Sequence, residues 1–353
     1  MNHDEVNPLA LKPLLSEQLL IDALPTILGD IPATRSVVIS PGRAQLADRL
    51  LESGASTMAT AWYLDLYVAD KTSRFVSEAV DVVCSSDLPE EEFDFVGMPV
   101  LKRSESELTR DLLQQGHQRL REGGVLATSV DNGKDQWLHE QMQGMFDKVS
   151  CDRQKNGCVY WGRKTKPLKK VKDFSCQFAF RDEERLIEMY SRPGVFSHRR
   201  LDNGARQLTL VAEVGPSDTV LDMGCGAGAV ALACAFRTTG TVYAIDSHAR
   251  AVECTQRGAE LNGLTNVRAI LNAQGALDLP EPVDLVLANP PYYGDDAISK
   301  HFVDTAIEVL RPAGALLVVT KQPRWYLDYF GDLLVDVLAF ESSRYHVVCG
   351  RKI

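Results

Sequence analysis

The sequence predicts an α/β protein made of two tandem, doubly wound domains with mostly parallel sheets. Three observations carry that expectation. Short apolar runs alternate with amphipathic stretches along the chain, the pattern of strands joined by crossover helices. The 353 residues exceed one typical domain and suit two of moderate size. Two pairs of residues recur 190 positions apart: Asp94 in FDFVGMP with Asp284 in VDLVLANP, and Gly124 in EGGVLATSV with Gly314 in PAGALLVVT. Two matches at one offset point to a duplication at domain scale.

In the first half, Leu14, Leu15, Leu19, Leu20 and Ile21 suit a short amphipathic helix. SVVI at 36–39 reads as a strand, and SPGRAQLADRLLESG as a turn and helix. Strands follow at 58–67, 80–84 and 93–96, the last ending at Gly97-Met98-Pro99. A helix is expected over 104–121, with Ser104 as cap and Glu107 closing a capping box. Gly123-Gly124 break it before a strand at 125–130. A helix at 134–146 and a hairpin pairing 148–151 with 158–161 complete this domain, drawn as 1–165. A basic linker, 166–185, leads to the second domain, 186–353. The stretch Arg163 to Lys172 holds six basic residues and no acid. It reads as a solvated connection and as a candidate phosphate contact.

In the second half, Asp202 is placed to cap a helix reaching about 213. Strands at 219–223, 241–245, 267–271, 283–288 and 315–320 alternate with helices at 229–237, 249–262 and 298–310. A short helix at 325–330 precedes an antiparallel hairpin of 333–340 with 345–351. Helical crossovers between most strands imply parallel pairing.

The chemistry concentrates in two stretches. TVLDMGCGAG, from Thr219 to Gly228, reads as a buried strand ending near Asp222, then a turn of Gly224, Cys225, Gly226 and Gly228, then a helix. Such a turn lets backbone N–H groups approach a ligand closely. The next strand ends in Asp246, about where a ribose-binding carboxylate is expected. VDLVLANPPYY, from Val283 to Tyr293, is a buried strand stopped by Asn289, Pro290, Pro291 and Tyr292. Two prolines cannot extend a ladder, so the chain is stiff just past the strand's carboxyl end.

Composition narrows the field. No apolar run approaches the ~20 residues that span a bilayer, and the opening MNHDEVNPLALKPL lacks a signal peptide's basic and apolar regions. Eight scattered cysteines without CxxC read as reduced thiols, so a cytoplasmic location and no membrane partner are expected. Seven histidines without HxxxH spacing argue against a metal. A net charge of −10 excludes binding to nucleic acid by overall electrostatics, though not recognition through a local patch.

GCGAG, Asp246 and NPPY together resemble the class I S-adenosylmethionine-dependent methyltransferases that act on amino nitrogens. With PGVFS at 193–197 and LDNGARQL at 201–208, the resemblance narrows to the bacterial ribosomal RNA guanine-N2 methyltransferases. It is strong over 190–353, and rests on architecture and fragments such as VYWGRK before that. Tyr292 stands where small-subunit members commonly have phenylalanine. The resemblance implies tandem Rossmann-like methyltransferase domains, the first degenerate: SPGRA replaces GCGAG, and GMPV replaces NPPY. It implies S-adenosylmethionine as cofactor and ribosomal RNA or a ribosomal subunit as partner. Asp222, Gly224, Cys225, Gly226, Gly228 and Asp246 would hold the cofactor, with Asn272 toward its adenine. Phe196 either joins a lid or staples the helix begun by Asp202. Asn289 and Pro290 would accept from the amine, Pro291 would hold them rigid, and Tyr292 would stack on the base. An adenine or amide methyltransferase, and a non-catalytic ribosome-assembly protein, stay open at this point. Oligomeric state is open too, a monomer being compatible with the sequence.

Overall fold

The computed structural model describes residues 12–29, 33–274, 277–291, 296–342 and 344–353, with backbone alone at Asp296 and Ser342. The chain divides into two compact units, Met1–Phe174 and Ser175–Ile353. The first runs α1 (Leu15–Leu28), β1 (Ala33–Ile39), α2 (Gln45–Glu52), β2 (Ser56–Tyr63), α3 (Leu66–Ser73), β3 (Val80–Cys84) and β4 (Phe93–Val100). It continues with α4 (Ser106–Arg119), β5 (Leu120–Val130), α5 (Trp137–Met145), β6 (Val149–Arg153) and β7 (Cys158–Arg163). The second opens with a hairpin, β8 (Cys176–Asp182) and β9 (Arg185–Ser191), then α6 (Asn203–Val211), β10 (Val220–Met223), α7 (Ala229–Ala235) and β11 (Val242–Asp246). It continues with α8 (Ala249–Leu261), β12 (Val267–Leu271), β13 (Val283–Ala288), α9 (Asp296–Val309), β14 (Leu310–Thr320), α10 (Pro323–Gly331), β15 (Leu334–Ser342) and β16 (Tyr345–Lys352).

Each unit holds a seven-stranded sheet, ordered β3-β2-β1-β4-β5-β7-β6 and β12-β11-β10-β13-β14-β16-β15. Position for position the two orders are the same. Five strands are parallel, and the last two form the antiparallel edge. The central strands bury both faces under helices, so Val37, Phe95 and Val96 in one unit match Leu221, Leu285 and Val286 in the other.

The duplication extends to side-chain detail. Asp94 accepts from the N–H groups of Thr34 and Arg35, each at 2.8 Å, and pairs with Arg121. Asp284 accepts from Thr219 N at 2.8 Å and pairs with Arg311. A Cβ on Gly124 would lie 3.1 Å from the Asp94 carbonyl oxygen, and one on Gly314 3.1 Å from that of Asp284. Close backbone approach keeps glycine at both. Lys164 donates to the Gln118 and Leu120 carbonyls, and Lys352 to those of Ile307 and Leu310. Arg163 likewise donates to Gly123 O, as Arg351 does to Ala313 O. Two of the six charges in the basic stretch are therefore spent on sheet-end carbonyls.

The structure departs from the sequence reading in several places. The strand expected over 58–67 ends at Tyr63, and Leu66–Ser73 forms helix α3, capped by Asp65. Strand β5 already starts at Leu120 and runs through Gly123-Gly124. Helix α4 starts later, with Glu105 at the cap position and no side-chain cap; Ser104 Oγ instead accepts from Leu101 N, 3.2 Å away. Strand β4 runs on through Gly97-Met98-Pro99 to Val100. Pairing with β1 ends at Gly97, so Pro99 needs no donor on that side. At the offset of 190, Asn289 corresponds to Pro99, so Pro99–Lys102 rather than GMPV takes the place of NPPY. The linker drawn at 166–185 takes in strand β8 of the β8–β9 hairpin, whose Phe180, Ile187 and Met189 pack with Leu232, Ala233 and Ala259 of α7 and α8.

Candidate active site

The site is set by strand order. β10 and β13 lie side by side and parallel, Met223 against Ala288. The chains leaving them therefore start level, with Gly224 on one and Asn289 on the other. β11 flanks β10, Met223 against Ile245, and β12 lies beyond it, Leu271 against Asp246. The connection from β10 turns toward β11, while β13 and β14 build the other half. The crevice at the carboxyl ends of β10 and β13 is thus the topological switch point, where open α/β sheets bind ligands. Asn272, Asp246, the glycine turn and Asn289 follow in order along this edge. They span three strand spacings, about 14 Å at ~4.8 Å each.

The turn itself demands glycine. Gly224, Gly226 and Gly228 have φ of 72°, 55° and 86°, angles that other residues adopt only at a cost. The N–H groups of Gly224 and Cys225 donate to Ile245 O at 2.8 and 2.9 Å. Gly226 N donates to Asp246 Oδ2 at 2.9 Å, and His248 N to Oδ1 at 2.9 Å. Asp246 is thereby fixed at the strand end. Thr255 Oγ1 donates to Gly226 O at 3.2 Å, and a Cβ on Gly228 would come within 2.7 Å of that hydroxyl oxygen. A Cβ on Gly226 would meet nothing within 4 Å, and one on Gly224 would face the Phe302 ring at 3.4 Å. That face of the turn is an open cradle.

Asp222 is only 2% exposed, and its Oδ2 accepts from Ala231 N at 3.0 Å, tying β10 to the first turn of α7. Burial pushes its carboxyl up to about 7, against the hydrogen bond from Ala231 and with the charge of Asp246 adding to the rise. Burial also raises the Cys225 thiol well above its ordinary range. Cys225 Sγ lies 3.4 Å from Thr255 Oγ1, a packed thiol rather than a nucleophile. Asn272 N donates to Asp246 O at 3.0 Å, and Asn272 Oδ1 accepts from Gln274 N at 3.1 Å, closing an Asx turn.

On the other strand, Asn289 Nδ2 donates to Asp202 Oδ2 at 2.8 Å. Asp202 is the expected cap of α6, accepting from Ala205 N at 3.0 Å. Pro290 is buried and Pro291 half-buried. Tyr292 lies outside the described residues. Phe196 stands 61% exposed in the loop between β9 and α6, which excludes a stapling role. The loop is anchored all the same: Val195 packs on Ala251 and Cys254, buried Arg250 donates to Pro193 O at 2.9 Å, and Arg192 pairs with Glu253 at 2.6 Å.

One sheet edge thus gathers Asp222, Gly224, Cys225, Gly226, Gly228, Asp246, Asn272, Asn289, Pro290 and Pro291. Phe196 is held on a loop beside α8. Sequence reasoning missed Thr255 and Phe302, which shape the turn, and the tie between Asp202 and Asn289. Among the described residues, no group of three His, Cys, Asp or Glu side chains is arranged to hold a metal ion. No helix among them is long and apolar enough to cross a membrane.

Residues 186–348 match the model of the family described as methyltransferase small domain. The "Ribosomal RNA small subunit methyltransferase C" of Alcanivorax borkumensis is 32% identical over 168 residues, 45% of this chain and 51% of that protein. The "Ribosomal RNA large subunit methyltransferase G" of Shewanella amazonensis is 34% identical over 151 residues, 40% of this chain and 39% of that one. The chain spans about half the length of the curated relatives it matches. Among solved structures, a T. thermophilus 16S rRNA N2 methyltransferase in complex with AdoMet and guanosine superposes with a TM-score of 0.76. The match is 20% identical and covers 95% of this chain and 92% of the other. At that identity the likeness is one of fold, and it takes in both tandem domains.

Proposed function

We propose that this chain, whose residues 186–348 match the model of the methyltransferase small domain family, transfers a methyl group from S-adenosylmethionine to the exocyclic N2 of a guanine in ribosomal RNA. The observation that carries the reading is the level register of Met223 with Ala288. It sets a glycine cradle and a stiff asparagine-proline pair on neighbouring strands at the switch point. Both halves of a transfer reaction then face one crevice.

The residues present fit the cofactor. The open face at Gly226 would be filled by any Cβ, and Asp246 stands one strand away to receive the ribose hydroxyls. Gly224, Cys225 and Gly228 shape the same turn, Asp222 braces it toward the amino-acid end, and Asn272 lies toward the adenine. Phe196 would close over the site from its anchored loop. When bound, S-adenosylmethionine supplies an electrophilic methyl on its sulfonium. Asn289 Oδ1 and the Pro290 carbonyl would each accept one hydrogen of the amine. Those two acceptors steer its lone pair out of conjugation and toward the methyl, and Pro291 keeps them preorganised. Tyr292 would stack on a base lifted out of its helix, a contact worth roughly 1–3 kcal/mol.

The first unit fits a supporting and RNA-recognising role. By strand register its Ser40–Ala44 turn stands where Gly224–Gly228 stands, and Val38 replaces Asp222. Its turn is closed by its own side chains. Ser40 Oγ accepts from the N–H groups of Gly42 and Ala44, and Tyr63, in the place of Asp246, donates its hydroxyl to Gly42 O at 3.0 Å. On this reading residues 186–353 are catalytic, 1–165 support them, and the exposed lysines of 166–185 meet phosphate. The relatives named as ribosomal RNA methyltransferases favour RNA over a protein amide as acceptor. Calorimetry with S-adenosylmethionine, followed by transfer of labelled methyl to undermodified ribosomal RNA, tests the proposal. Absent binding would leave a non-catalytic RNA-binding protein, and label on the glutamine of a release factor would mean an amide methyltransferase.

A further inference from the structure

We infer that Asp202 is a positioning residue which fixes the amide of Asn289 in the one orientation that can receive an amine. The inference rests on the methyl-transfer reading and adds to it a residue lying 87 positions upstream. Both contacts are made by one atom. Asp202 Oδ2 accepts from Ala205 N at 3.0 Å and from Asn289 Nδ2 at 2.8 Å.

The chemistry of the pair decides which way the amide points. A carboxylate only accepts, so the side of Asn289 that faces it has to be the NH2 group. The amide is planar, which sends Oδ1 to the opposite side of Cγ. With the donor end committed to Asp202, an acceptor is presented away from it. Reversal would set Oδ1 against the carboxylate and turn the NH2 toward an incoming amine. Acceptor would face acceptor and donor would face donor.

The anchor is stiff enough to hold that choice. Asp202 has extended backbone, φ −70° and ψ 141°, at the cap of α6. Ala205 and Leu208 of α6 are buried in the core that also takes in Val220 and Leu287 of β10 and β13. The cap and the asparagine therefore belong to one packed body.

Two roles share the aspartate, and substitutions separate them. Serine caps a helix as well as aspartate does but is too short to reach Asn289. Asparagine caps and also reaches, since its carbonyl oxygen can accept from both donors. In the full chain, Asp202→Ser should keep Tm within about 2 °C of wild type, because the cap survives. Its affinity for S-adenosylmethionine should stay within about twofold, and kcat on ribosomal RNA should fall about 10- to 100-fold, the scale of a misplaced catalytic group. Asp202→Asn should recover kcat to within about threefold of wild type, as a conserved acceptor requires. Asp202→Ala should lower both kcat and Tm. The inference is overturned if Asp202→Ser turns over like wild type, or if Asp202→Asn is as slow as Asp202→Ser. A wild-type chain that binds no S-adenosylmethionine, or transfers no methyl to RNA, overturns the underlying reading before any variant is compared.

Discussion

Asp222 and Asp246 end neighbouring strands, yet burial gives them different tasks. Asp246 lies at the edge, where its carboxylate is held by Gly226 N and His248 N. Asp222 lies beneath the turn, and its carboxyl titrates near 7 rather than at the ordinary 3.8. Between those values the native state holds a proton that the unfolded chain has lost, so stability of this unit falls as pH rises and levels off above about 7. Asp222→Asn keeps an acceptor for Ala231 N without the titration. Its denaturant midpoint should stay flatter from pH 4 to 8, with the variant ahead at pH 8 by on the order of a few kcal/mol. Parallel curves for the two proteins would contradict this. Gly226→Ala puts a methyl in open space at a φ of 55°. It should fold with a loss of about 1–2 kcal/mol, while calorimetry shows weakened S-adenosylmethionine binding. Unchanged affinity would mean the cofactor does not lie there. Asn289→Ala should bind S-adenosylmethionine normally and lose roughly 10²–10³ in kcat, as removal of a preorganised polar group does. These residues were legible because positive φ and a stopped strand leave few choices of side chain. Asp202 was legible only as a cap: its partner is remote in sequence, and no local pattern encodes that contact.

At the scale of elements, the same framework carries two different turns. The pairs Asp94–Arg121 and Asp284–Arg311, with Gly124 and Gly314, hold corresponding strands in both units. Those pairs made the repeat visible in the sequence. What fills the first turn was not visible. Glu17 of α1 is fully buried, and its Oε1 accepts from Leu46 N in the first turn of α2 at 3.1 Å. Burial lifts its carboxyl from 4.5 to about 7, so it destabilises the first unit increasingly as pH rises through that window. Glu17→Gln should therefore raise the stability of this unit at pH 8 and leave it nearly unchanged at pH 4. Hydrogen exchange at α2 would register the change, and equal protection at both pH values would count against it. The β8–β9 hairpin escaped sequence reading because its tight turn places Glu183, not glycine or asparagine, at a φ of 50°. Within the basic stretch, Arg163 and Lys164 turn back onto carbonyls of the sheet end, a use that no local sequence pattern encodes.

At the scale of the whole molecule, the proposed function takes one cradle to have been lost after duplication, leaving one cofactor site for two similar units. Calorimetry should accordingly find about one S-adenosylmethionine per chain, and two equivalent sites would contradict the closed first turn. With a net charge of −10, the proposed binding of RNA would have to come from a few local contacts, so its salt dependence should be shallow. The most direct test of the central claim is mass analysis of nucleosides from undermodified ribosomal RNA treated with this protein and S-adenosylmethionine. The account predicts N2-methylguanosine with the wild-type chain and almost none with Asn289→Ala. Methyl groups on adenine or on protein, or an equal yield from the variant, would contradict it.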